Sequence, residues 1–155
     1  MATRDSHSSP GCATARVAKA GQAAWFFGNL YEAVVGVPQL LGWARAERSP
    51  GLLSTGSPVR YFAPIAPLTL GSTTLTLIQS WRSGEDRYLI ATAAGCFLGA
   101  LGLSGYLIGT VNLPLLANGD SLTAIERSQL AARWHRVNAL RLLLLGAGLL
   151  VDPSR

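Results

Sequence analysis

The chain has 155 residues, 49% of them hydrophobic and 14% charged, against roughly 25% charged in soluble domains. Its mean hydropathy is positive, which excludes a disordered or collagen-like chain and argues against most soluble enzyme folds. The net charge is +5 and Lys19 is the only lysine, the other cations being arginine. Those arginines lie between apolar stretches and form no single patch, so they read as residues that flank membrane spans and meet anionic headgroups; nucleic acid is not an expected partner. The arginine bias, with abundant Ala, Gly and Leu, fits a high-GC bacterial genome.

Residues 1–19 form a Ser-, Ala- and Arg-containing stretch, read as a disordered tail. The first apolar stretch runs from Ala20 to Ala44 with Glu32 as its only charge until Arg45. It is too long for the apolar region of a signal peptide and carries Asn29, Tyr31 and Glu32. A linker follows from Arg45 to Arg60, marked by the turn clusters Ser49-Pro50-Gly51 and Gly56-Ser57-Pro58. The second stretch, Phe62 to Trp81, is uncharged. Its threonines (Thr69, Thr73, Thr74, Thr76) favour strand by propensity. In lipid a lone strand leaves its backbone unsatisfied, and Thr hydroxyls can bond back to the preceding turn, so helix is the better reading.

A short charged hairpin, Arg82 to Arg87, leads to the third stretch, Leu89 to Val111. Along it Gly95, Gly99, Gly102, Gly105 and Gly109 fall on one broad stripe, read as a face on which neighbouring helices pack closely inside the bundle. Asn118-Gly119-Asp120 signals a turn. Either Ser121 or Thr123 is placed to cap the next helix, and Thr123 with Glu126 has capping-box spacing. The last stretch is apolar only from Leu142 to Val151. A bilayer core needs about 20 helical residues, so the fourth span must reach back to Trp134 and take in Asn138 and Arg141.

The expectation is an all-α, four-transmembrane-helix bundle over residues 20–151, followed by a short tail, 152–155. Lipid is its surroundings and the cell membrane its location. Both termini then share a side, but Lys and Arg divide six against six between the two faces. The positive-inside rule therefore does not decide the orientation, and the termini are placed in the cytoplasm because the tail carries no export signal. Cys12 and Cys96 sit in unlike contexts and form no disulfide framework.

Ionisable groups inside spans are costly and mark candidate sites. Glu32 and Arg141 are the deep ones. Counting from the ends of their helices at 1.5 Å per residue puts both in the same half of the bundle, where they are expected to pair. Asn29 shares the Glu32 face. Trp134, Asn138 and Arg141 share a face of the last helix, and His135 borders it. Asn112 and Pro38, Pro64, Pro67 and Pro114 fall in the same half, which reads as polar, kinked and open. The glycine-stripe half reads as tight and dry. With only His7 and His135, no metal set assembles.

The run Trp134-His135-Arg136-Val137-Asn138-Ala139-Leu140-Arg141, with Asn112-Leu113-Pro114-Leu115 upstream, resembles the anthrone-oxygenase-like family of four-helix membrane proteins. The opening Trp25-Phe26-Phe27-Gly28 is similar to that family's first helix. The resemblance covers residues 20–151 and departs at Leu116, where the family often has asparagine. It implies cofactor-free oxidation of a hydrophobic phenolic ring by molecular oxygen. Glu32 or His135 would then be the base. Arg141, Asn138 and Asn112 would hold the anion beside Asn29, with Trp134 stacked on the ring. The opposing reading is a non-enzymatic membrane protein, a partner-binding subunit or small carrier, in which the Glu, Arg and Asn residues only fix helix packing.

Overall fold

The computed structural model describes residues 10–36, 58–118 and 121–151. Among them are four helical rods and no strand. Helix α1 spans Pro10–Val35, α2 spans Pro58–Arg82, α3 spans Arg87–Leu107 and α4 spans Ala124–Leu150. α3 runs on through a π-helical turn, Ile108–Asn112, and a terminal segment, Leu113–Asn118. Of the tail expected over residues 1–19, residues 10–19 are helical. The end of the first apolar stretch, with Pro38, and the linker up to residue 57 lie outside the described residues.

Successive rods run antiparallel. α1 packs chiefly on α2, α3 on α4, and α1 also meets α4, whereas α2 and α3 touch little. The start of α1, the α2–α3 turn and the end of α4 therefore share one end of the bundle. That turn is built as its residues require. Gly84 takes φ +75°, the Asp86 side chain accepts the Tyr88 N–H at 2.8 Å to cap α3, and the Arg87 guanidinium lies 3.6 Å over the Trp81 ring. At the other end, Thr123 caps α4 in a full capping box with Glu126, which resolves the choice between Ser121 and Thr123.

Two helical stretches, Arg60–Arg82 and Arg87–Leu115, are long and apolar enough to cross a membrane. α2 is polar inside and apolar outside. Its buried side chains, among those described, are Thr69, Ser72, Thr73 and Ser80, while Leu68, Leu75, Ile78 and Trp81 are exposed. The threonine-rich stretch is helical, with Ser72 Oγ donating to Leu68 O and Thr76 Oγ1 to Ser72 O.

The glycine stripe does not pack as expected. Only Gly99 meets a neighbour, Leu144 of α4; a Cβ on Gly95, Gly102, Gly105 or Gly109 would meet nothing within 4 Å. The buried face of α3 is instead Ile90, Phe97, Ala100, Ser104 and Leu107, continued by Val111 and Leu115. The glycines that admit close approach lie on α1. A Cβ on Gly21 would strike Thr69, and one on Gly28 would lie 2.5 Å from Tyr61 and 3.1 Å from Phe62. Nor does Asn112 close α3. Pro114 lacks an N–H and crowds the preceding turn, and the ladder widens ahead of it, with the Leu113 N–H reaching Ile108 O. The rod then continues to Asn118.

Candidate functional site

α4 carries the cluster. Asn138 and Arg141 are one turn apart and both point into the bundle, Asn138 being 1% exposed and Arg141 7%. The Asn138 amide is used at both ends. Its Nδ2 donates to the backbone oxygen of Asn29 on α1 at 3.2 Å. Its Oδ1 accepts from Arg141 Nε at 3.0 Å and Nη2 at 2.6 Å. Arg141 Nη1 reaches Ser104 Oγ on α3 at 3.3 Å, and that hydroxyl donates to Ala100 O at 2.8 Å. The buried Asn29 side chain donates back to Trp25 O at 2.7 Å, within its own helix. Three helices are thus tied through one guanidinium and one amide.

The expected Glu32–Arg141 pair does not form as a contact. Glu32 is half-buried, but among the described residues the guanidinium's hydrogen bonds go to Asn138 and Ser104. The reason is local. Asn138 sits three residues before Arg141 on the same rigid helix, so chelating its oxygen orders fewer side-chain bonds than bridging to a flexible Glu on α1.

The other expected site residues separate from this cluster. Trp134 is 3% exposed, packed with Leu107, Val111 and Leu115. The edge of one ring faces the plane of the other between Trp134 and His135, with centroids 5.2 Å apart. A ring so enclosed offers no face for a flat ligand. His135 and Asn112 are half-buried, Asn112 within the π-helical turn. Trp134 is therefore closed off in the half that was expected to be open.

At the opposite end, a cavity of about 40 Å³ is lined by residues of all four helices, among them Lys19, Gln22, Thr73, Cys96, Phe97 and Leu145. Between it and the Arg141 cluster stands an apolar layer of Trp25, Phe97, Ala100 and Leu145, in which the Trp25 and Phe97 rings meet at 87°. Among the described residues no group of three or more His, Cys, Asp or Glu is placed to hold a metal. No protein-family model, curated protein or solved structure matches the chain.

Ser104 and Gln22 are the residues that sequence reasoning missed. Ser104 had a signal: it lies at heptad spacing with Phe97 and Val111, on a face distinct from the glycine stripe. Gln22 had a weaker one, a lone amide seven residues before Asn29.

Proposed function

We propose that the chain is a multi-pass protein of the cell membrane, crossing it four times with its termini in the cytoplasm. Its Asn29–Asn138–Arg141–Ser104 cluster holds helix register and takes no part in catalysis. On this reading the protein is a non-enzymatic membrane component, a partner-binding subunit or small carrier. The observation that carries the role of the cluster is the full engagement of Asn138, whose amide spends both its ends on protein groups in a closed interior. Buried polar side chains between apolar-faced helices are the usual glue of membrane bundles. The exposed leucines of α2 beside its buried hydroxyls support the membrane assignment.

A double-mutant cycle tests the cluster. Asn138→Leu leaves the guanidinium without its principal acceptor. It is expected to destabilise the detergent-solubilised protein by about 1.5–3 kcal/mol, the range for hydrogen bonds to a charged group. Arg141→Met added to Asn138→Leu should recover much of that, because no unpaired charge remains. Losses that simply add would show that the two residues act independently.

A second reading rests on one feature. Glu32 is half-buried and is not among the hydrogen-bond partners of Arg141, which are Asn138 and Ser104, so its carboxyl is left to act as the base that ring oxidation of the anthrone-oxygenase-like kind would use. Oxygen uptake by the purified protein with anthrone-like phenols, lost in Glu32→Gln and insensitive to a chelator, would establish that reading over the first.

A further inference from the structure

The first half of α4 turns a cationic surface outward. Arg133 and Arg136 are both exposed, and at a spacing of three residues they are neighbours on the helix. The buried positions of α4 are Ala131, Trp134, Asn138, Arg141 and Leu145. Arg136 therefore lies opposite the core, with Arg133 beside it. Arg127 is different: it is half-buried, and its Nη2 donates to Leu122 O at 2.9 Å. Neither Arg133 nor Arg136 has a hydrogen bond or ion pair among the described residues. The acid of this helix, Glu126, lies two turns before Arg133 and is committed to the Thr123 cap. His135 turns away from the pair, its ring edge to face with that of Trp134. Two like charges thus stand side by side on an exposed face.

The same face becomes apolar within one turn. Leu140 and Leu143 continue it beyond Arg136, and both are exposed, as is Leu150 near its end. From residue 137 to residue 150 the only charged side chain is Arg141, which is buried on the inner face. The rise from Arg136 to Leu150 is about 21 Å, longer than the roughly 15 Å of hydrocarbon in one leaflet. A cation pair at the edge of such a stripe is complementary to a lipid with a negative headgroup. Paired guanidiniums match phosphate oxygens in geometry as well as charge. A zwitterionic headgroup brings its own cation against the pair, whereas an anionic one brings only its phosphodiester and neutral hydroxyls.

We propose that Arg133 and Arg136 form a site for an anionic phospholipid, with its phosphodiester bridging the two guanidiniums and an acyl chain lying along Leu140 and Leu143. The proposal rests on the reading of α4 as a membrane span and does not depend on the role given to the Arg141 cluster.

The site is tested on full-length protein in dodecyl maltoside. Dioleoyl phosphatidylglycerol or, as the zwitterionic match in chain, dioleoyl phosphatidylcholine is titrated in, and the thermal midpoint is read. Phosphatidylglycerol is expected to raise the midpoint at several-fold lower concentration. Arg133→Gln or Arg136→Gln alone should weaken that titration about fivefold, the effect of one basic residue at an anionic lipid surface. The double variant should keep the lipid-free midpoint and no longer distinguish the two lipids. Arg16→Gln with Arg82→Gln removes the same charge from exposed positions at the other end of the bundle and should leave the preference intact. Equal titrations by the two lipids in wild-type protein, or an equal loss in the Arg16/Arg82 variant, would overturn the site. Glycerol 3-phosphate as effective as phosphatidylglycerol would assign the arginines to a soluble phosphate, and an equally effective poly-glutamate peptide to an acidic protein segment; either result overturns the lipid. Cysteines at Gly119 and Arg155 separate this failure from that of the underlying reading. Labelled from the same side of the membrane, they would show that α4 does not cross. Labelled from opposite sides, in protein with no phosphatidylglycerol preference, they would leave the crossing in place and remove only the lipid site.

Discussion

At the scale of single residues, the chain places its polar atoms with local partners first. Arg141 takes the oxygen of Asn138, three residues away; Asn29 bonds within its own helix; Ser104 returns its proton to Ala100. The same economy is visible outside the apolar region, at the start of α4. There the Glu126 carboxylate accepts the Thr123 N–H and Oγ1–H, both at 2.8 Å, and these bonds hold its carboxyl below the usual carboxylate range. The sign of the consequence follows from linkage. A depressed carboxyl stabilises the folded helix start in full above the ordinary value of 4.5, and that contribution fades as pH falls through the folded value. Amide exchange over Ile125–Arg127, corrected for its intrinsic acid dependence, should therefore show first-turn fraying as pH falls below that value. Glu126→Gln should flatten the dependence while keeping the helix. A wild-type profile as flat as that of the variant would remove Glu126 from the cap. This capping box was legible from Thr123 and Glu126 alone because it needs only four consecutive residues. The Arg141 partner was not, since depth along two helices says which residues are level and not which rotamer wins.

At the scale of helices, the informative contrast is between two sets of glycines. On α1, Gly21 and Gly28 sit seven residues apart and face α2, where Thr69 and Tyr61 fill the space a Cβ would need. On α3, Gly102 faces nothing within 4 Å. A sequence shows that glycines share a stripe, but not which stripe is turned inward. The denser glycine run on α3 drew the packing assignment, yet the bundle interior on that helix took Phe97, Ala100, Ser104 and Leu107, which supply bulk and a hydroxyl for Arg141. Mutation should reverse the ranking that glycine density suggests. An alanine at position 21 meets the Thr69 Cβ at 3.1 Å and its Cα at 3.3 Å; the latter is backbone and cannot rotate away. Gly21→Ala should thus part α1 from α2 and cost about 1–3 kcal/mol, the range for overpacking. Gly102→Ala should be neutral, or gain up to about 1 kcal/mol from helix propensity. Thermal midpoints of the two variants in the same detergent check this, and a larger loss at 102 than at 21 would mean that a partner helix covers the α3 stripe.

At the scale of the whole molecule, the proposed four crossings rest on how the rods lie alongside one another. Two helices are apolar enough to cross by composition; α1 and α4 carry more polar residues and do not announce themselves. Their contacts set their depth. α1 follows α2 from Gly28, against Tyr61 and Phe62, to Gly21, against Thr69. Those α1 positions are seven residues apart, about 10 Å of rise, about a third of a hydrocarbon core of about 30 Å. α4 follows α3 in the same way, from Trp134 beside Val111, through Arg141 on Ser104, to Leu145 beside Phe97. If α2 crosses without α1, the hydroxyls of Thr69, Ser72 and Thr73 face lipid. If α3 crosses without α4, Ser104 does the same and Arg141 loses its enclosure. On the proposed topology, helices packed at matching depth enter together and make the four crossings. Single cysteines placed at Arg16, Gly51, Gly84, Gly119 and Arg155 in a cysteine-free background, labelled with a membrane-impermeant maleimide in intact cells, should alternate. Positions 16, 84 and 155 are expected to be protected, and 51 and 119 labelled, if the termini are cytoplasmic. The inverse alternation would keep the four crossings and reverse the orientation. Two neighbouring positions in that series with the same accessibility would remove the crossing between them, and with it the argument from matched depth.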